Sequence, residues 1–172
     1  SRYMHEHGHG EADLAELAVL MRRHAGLHPG AQFREPITVE TVLASKPIAS
    51  PLKLLDCCPV SDGGAAFVVS RDRSNDFAVG IAGTGQAHTH QHISAAASLT
   101  RFGAASSAVK ACEAAGVAIR DIDYAAIYDS FTITLTILLE EIGLAPRGAA
   151  GRLAAEGHFN HDGKLPLNTH GG

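Results

Sequence analysis

Tryptophan is absent from the 172 residues, and aromatic residues make up only 5% of the chain. With so few rings, the core is expected to be packed from alanine, valine, isoleucine and leucine, a composition that suits close helix-on-sheet contact. Cysteine is also scarce: there are three, Cys57, Cys58 and Cys112. The number is odd and neighbouring cysteines rarely pair, so no disulfide framework is expected. That absence points to a reducing, intracellular setting, and the expected location is the cytoplasm. No block of lysine and arginine occurs, and the net charge is -4, which argues against a nucleic-acid or anionic-membrane partner. No apolar run reaches the roughly 18 residues that a membrane span needs. The opening residues, Ser1 to Gly10, are polar and histidine-rich, so no leader peptide is expected there.

What remains is an ordinary globular composition, 45% hydrophobic and 19% charged, long enough for one domain with its own core. The stretch that organises the chain is Asp123 to Leu144, DYAAIYDSFTITLTILLEEIGL. It reads as a short buried strand over Tyr124 to Ile127, a turn carrying Tyr128, Asp129 and Ser130, and a helix from about Phe131 to Ile142. Gly143 stands where a helix C-cap belongs, and Ser130 or Asp129 where an N-cap belongs. A strand running straight into a helix sets its turn residues at the carboxyl end of a sheet, the usual address of a ligand site in α/β proteins. Tyr128 and Asp129 are the first polar pair to consider. A half-buried ring beside a helix cap would place the same two residue types there.

Elsewhere, Ser1 to Gly10 reads as a loop. Glu11 to Ala25 reads as an amphipathic helix, with acids early and Arg22, Arg23 and His24 late, whose default role is to cover the core. Ile37 to Ala44 suits a short helix. Leu52 to Ser70, LKLLDCCPVSDGGAAFVVS, approaches Cys57 and Cys58, turns at Pro59 and Asp62-Gly63-Gly64, and continues as a strand over Ala65 to Val69. A polar turn, Arg71 to Asp76, leads to a further strand, Phe77 to Gly83. In a strand, His88, His90 and His92 would alternate onto one face and offer three imidazoles to zinc. No fourth ligand is in view, so they read instead as lining a polar pocket or interface, and no metal is assigned. Thr100 to Val117 is a small-residue helix whose Ala and Ser faces admit another backbone, and it is expected to be central and sandwiched. Gly148 to Gly151 reads as a loop and His158 to Gly163 as a polar turn. The strand-helix succession gives an α/β class with layered architecture.

Four of these stretches together resemble the thiolase superfamily, in particular its sterol-carrier and lipid-transfer branch. RYMHEHG is similar to that branch's MHEYG-like segment, and LKLLDCCPVSDGGAAFVV to the segment ending in DGAAA that lines the coenzyme A and active-site cleft. IDYAAIYDSFTITLTILLEEIGL resembles the strand-helix unit carrying NEAF in ordinary thiolases and HDCF in the sterol-carrier thiolase. GKLPLNTHGG resembles the NPSGG-type turn that precedes the family's GHP histidine. Two departures stand out. Tyr128 occupies the position of the Asn or His that opens those motifs. The resemblance also sets the family's nucleophilic cysteine before Ser1, and the GHP histidine and second cysteine after Gly172.

The resemblance implies a thiolase-like αβα fold, incomplete in this chain. Residues 1–85 would close the first half and 86–172 would open the second. It implies an acyl-CoA substrate, with coenzyme A entering as part of that substrate and no bound cofactor. It also implies a homodimer. The Tyr-Asp-Ser-Phe and Asn-Thr-His-Gly-Gly variants resemble members that shorten steroid side chains by retro-aldol cleavage and work with a small zinc-ribbon and OB-fold partner. On that pattern Tyr128 is the catalytic candidate and His170 an acid or donor near the thioester. Cys58, Ser61, Asp129 and Asn168 are the substrate- and coenzyme-binding candidates. The alternatives implied are an acetyl-CoA acyltransferase, or a scaffold that binds acyl-CoA without catalysis.

Overall fold

The computed structural model describes residues 1–71 and 78–171. Its hub is a helix. α1 (Arg2–His7) and α2 (Glu11–Leu27) open the chain, followed by α3 (Val39–Ala44) and the two short strands β1 (Pro47–Ala49) and β2 (Leu52–Lys53). Then come α4 (Ala104–Ala115), α5 (Thr132–Ile142) and α6 (Ala150–Ala155). β1 and β2 pair antiparallel, with Pro47 opposite Lys53 and Ala49 opposite Leu52. Two isolated bridges fix the rest: Cys57 with Phe131, antiparallel, and Ala125 with Leu167, parallel.

α2 was expected to cover the core, but it runs through the middle. Leu17, Leu20 and Met21 pack with Leu135, Leu139, Phe159 and Leu167 on one side, while Ala15 and Ala18 pack against Val42 on the other. A helix buried on two faces cannot keep a wide polar stripe. Asp13 bonds back to the Gly10 backbone N–H at 2.8 Å and so secures its first turn. α5 begins and ends close to where its sequence predicts. Gly143 closes it in the left-handed conformation at φ 91°. Its N-cap, however, is Phe131, with no side-chain cap; neither Asp129 nor Ser130 holds that role. Thr132 Oγ1 instead bonds to Asp56 Oδ1 at 2.8 Å and ties the first turn to the segment before Cys57.

Several other expectations change. Ser1 to Gly10 contains α1 rather than a loop, because Tyr3 anchors it in the interior and Arg2 pairs with Glu6 one turn later. Gly151 lies within α6: a Cβ there would stand 2.3 Å from the Asp13 carbonyl oxygen, so close packing on α2 accounts for the glycine. α4 is peripheral, with no fully buried residue. Its small-residue face does receive a backbone, since Gly83 and Gly85 lie directly against Ser107, Ala111 and Ala115. Ala65 to Val69 forms no strand, nor do residues 78–83; Phe77 and residues 72–76 of the expected turn lie outside the described residues. A strand exists only through a partner's hydrogen bonds, and among the described residues none pairs with these. His88, His90 and His92 likewise do not sit on a strand. His88 contacts Gln86 and His90 contacts Thr89. Among the described residues no group of three His, Cys, Asp or Glu side chains stands close enough to hold a metal ion. Nor is any described helix long and apolar enough to cross a membrane.

Candidate active site

A cleft of about 320 Å³ opens between α2, the connector from His28 to Ile37, the Cys57-Cys58-Pro59 segment, the start of α5 and the His170-Gly171 turn. Its inner wall is apolar, from Leu17, Ala18, Met21 and Leu135, and its polar end carries Asp56, Cys58, Asp129, Thr132 and His170. A concave apolar site with a few convergent polar groups is the usual form of a small-molecule pocket. The connector is held in place by Arg22, which donates to the Glu35 carbonyl at 3.1 Å and lies 5.6 Å from the centre of the Phe33 ring.

Two joints assemble the polar end. Cys58 N–H donates to Ser130 O at 3.0 Å, beside the Cys57–Phe131 bridge, and brings the thiol segment to the start of α5. At the Ala125–Leu167 bridge, Ala125 N–H donates to Pro166 O and Asn168 N–H donates to Ala125 O at 2.9 Å. Asn168, 1% exposed, then adds its side chain to the ladder: Oδ1 accepts from Ile127 N–H at 2.8 Å and Nδ2 donates to Ile127 O at 2.7 Å. It adopts φ 44°, a conformation that asparagine tolerates better than most residues. The turn that follows presses Gly171 onto α2. A Cβ at that residue would lie 2.5 Å from Ala25 Cα, and φ is 105°.

The sequence candidates therefore separate. Cys58, Asp129 and His170 line the cleft. Asn168 stands behind them with both ends of its amide engaged by Ile127. Tyr128 projects outward, 73% exposed, and Ser61 is exposed as well; neither lines the cleft. Burial pushes the Asp129 carboxyl up from its usual value, opposed by His170 and a hydrogen bond from Asn168. Burial, Asp56 and Cys58 push the Cys57 thiol up, so it stays protonated, with Sγ toward the Lys53 carbonyl at 3.3 Å. Asp56 and Thr132 escaped the sequence reading. The signal for Asp56 was its position three residues after Lys53, whose N–H bonds to Asp56 Oδ2 at 3.0 Å.

Residues 85–172, just over half of the chain, match the family model described as thiolase C-terminal domain-like. The chain belongs to the thiolase superfamily. This thiolase-like chain is 38% identical to a steroid side-chain-cleaving aldolase of Thermomonospora curvata, over 99% of the chain and 46% of that protein. It is 35% identical to an acetyl-CoA acetyltransferase of Methanocaldococcus jannaschii, with the same two coverages. A solved Ltp2-ChsH2(DUF35) aldolase superposes with a TM-score of 0.86 at 34% identity, over 99% of this chain and 47% of that one. The α/β thiolase-like fold is thus established, and the chain spans about half the length of the relatives it matches.

Proposed function

We propose that the protein containing this chain cleaves the Cα–Cβ bond of a β-hydroxyacyl-CoA by a retro-aldol reaction, with a steroid side-chain thioester as the preferred substrate class. The observation that carries this reading is the joint at Ala125 and Leu167. It holds Asp129 and the His170 turn on neighbouring segments, both lining a cleft that Leu17, Ala18, Met21 and Leu135 make apolar, with Tyr128 beside Asp129 outside it. The similarity to a side-chain-cleaving aldolase supports the same chemistry.

The step requires a base to take the β-hydroxyl proton. The C–O bond becomes a carbonyl, the Cα–Cβ pair of electrons moves into the thioester as an enolate, and a proton returns to Cα. Tyr128, outside the cleft beside Asp129, serves as the base through a relay. Asp129, next in the chain and with its carboxyl shifted upward by burial, is suited to that part. His170 supplies a donor toward the thioester oxygen or the returning proton. Cys58 and Asn168 shape the pocket, and Ser61 meets the coenzyme portion. Coenzyme A belongs to the substrate, and no separate cofactor is invoked. A homodimer, a small zinc-ribbon and OB-fold partner, and a cytoplasmic location complete the proposal.

The likeness to an archaeal acetyltransferase favours a second reading, acyl transfer by a cysteine and histidine outside this chain. Cleavage of a β-hydroxyacyl-CoA by the intact protein and its Tyr128→Phe variant separates the two. Loss of about 10²-fold or more in kcat is expected. Unchanged cleavage overturns the role of Tyr128, and thiolysis of a β-ketoacyl-CoA in place of cleavage favours the second reading.

A further inference from the structure

We infer that His24 is a positioning residue for the turn that carries His170, an assignment that rests on reading the cleft as the active site. His24 lies near the end of α2, is 0% exposed, and reaches with Nδ1 to the Leu167 carbonyl oxygen at 2.9 Å. A carbonyl only accepts, so Nδ1 carries the hydrogen and donates. The other ring nitrogen, Nε2, has no partner among the described residues; the nearest ring is that of His161, edge-on at 6.4 Å. A buried imidazole with one empty nitrogen is a costly way to fill apolar space, since leucine would fill it without the desolvation penalty. What leucine lacks is the donor to Leu167.

The position of that bond gives it a function. His24 holds the turn at Leu167, before His170, and the next residue of α2, Ala25, receives Gly171 just after it. The last turns of α2 thus grip the His170 segment at both ends, while Asn168 fastens it to Ile127 from the opposite side. Arg23 adds a tie to the preceding turn by donating to Asn160 Oδ1 at 2.9 Å. α2 also supplies Leu17, Ala18 and Met21 to the cleft that His170 lines, so one helix touches both the apolar wall and the His170 turn. Leu167 and His170 are then displaced together whenever the His24 donor is lost.

The experiment compares His24→Asn, His24→Gln and His24→Leu in the intact protein. The amide of Asn can occupy the place of Nδ1–H, whereas that of Gln falls nearer Nε2. The readout is the side-chain NMR signal of His170, labelled at histidine and assigned by its loss in His170→Gln. The expected result is a wild-type His170 signal with Asn and a displaced one with Gln and Leu. If Leu prevents folding, the comparison of Asn with Gln, alike in polarity, decides. An unmoved His170 signal in Gln, or the same displacement in Asn and Gln, overturns the inference. Turnover is measured alongside. With a β-hydroxyacyl-CoA, Gln should lower kcat by about tenfold or more and leave KM within about twofold. A wild-type protein that cleaves no such thioester refutes the cleavage reading, while the NMR comparison still decides the role of His24.

Discussion

Asn168 and Ile127 are joined twice, by the Ile127 N–H to the side-chain oxygen at 2.8 Å and by the side-chain nitrogen to the Ile127 carbonyl at 2.7 Å. The amide does the work of a neighbouring strand and extends a single-bridge ladder by one more rung.

Removing that rung should be costly. Asn168→Ala leaves two backbone groups of Ile127 unpaired in a half-buried setting and forces alanine into a left-handed conformation. A loss of about 2–4 kcal/mol is expected from the unpaired groups and the backbone together. Asn168→Gly should recover only the backbone part. Denaturant melts of the three proteins test this, and equal stability of Asn and Gly at the position would show that the side-chain bonds contribute little.

Gly171→Ala should behave differently, because there the obstacle is contact as well as conformation. The added methyl would meet Ala25 Cα at 2.5 Å. Destabilisation of about 2 kcal/mol or more is expected, with a larger fall in turnover than in fold stability, since His170 moves with the turn. Circular dichroism melts and kcat, taken on one preparation, make the comparison.

Tyr3 offers a spectroscopic prediction. Its hydroxyl donates to Glu140 Oε1 at 2.6 Å within the interior, and burial together with that carboxylate pushes the phenol far above its ordinary value. A raised pKa contributes stability that is complete below the unfolded value near 10 and is lost as pH rises beyond it. In ultraviolet titration the signal lost in Tyr3→Phe should ionise only as the protein unfolds. Tyr3 ionising near pH 10 in folded protein would contradict the buried contact.

The sign for His24 is the opposite. Burial holds its pKa below the usual value, against the pull of the Leu167 and Asn168 backbone; His161 and Arg23 add to the lowering. Stability from this group is present above the unfolded value near 6.5 and is lost as pH falls toward the folded one. Between pH 7 and 5 the wild-type protein should lose more stability than His24→Asn, measured by denaturant midpoints at each pH. Parallel losses would show that other groups dominate.

Asp129 governs a prediction about activity. With its carboxyl raised by burial, the acid limb of kcat/KM should lie above the range of an exposed carboxylate. Asp129→Asn should remove that limb and slow cleavage by about 10²-fold or more. A limb that survives the substitution belongs to another group.

The helices were legible wherever a local signal sufficed. Gly143 and apolar spacing marked α5 near its true limits, α3 falls within the stretch Ile37 to Ala44, and α4 within Thr100 to Val117. What escaped depends on contacts distant in sequence. α1 needs Tyr3 to reach Glu140, and the Asp56–Thr132 bond joins residues 76 apart. Strands failed for the same reason: Ala65 to Val69 is a good strand sequence, but pairing belongs to two segments at once. Of the site candidates, Cys58, Asp129 and His170 meet at the cleft, whereas Tyr128 and Ser61 face outward. Residue type at a turn indicates chemistry but not the direction in which a side chain points.

Phe67 and Val68 are 85% and 94% exposed, and Val60 and Val79 are as open. Exposed apolar side chains of this kind are what folding helpers and protein aggregates alike seize upon. Made by itself, the 172-residue segment should therefore bind hydrophobic dyes, travel with chaperones and resist concentration. Those handling traits would follow from these uncovered side chains rather than from any weakness in the helical core.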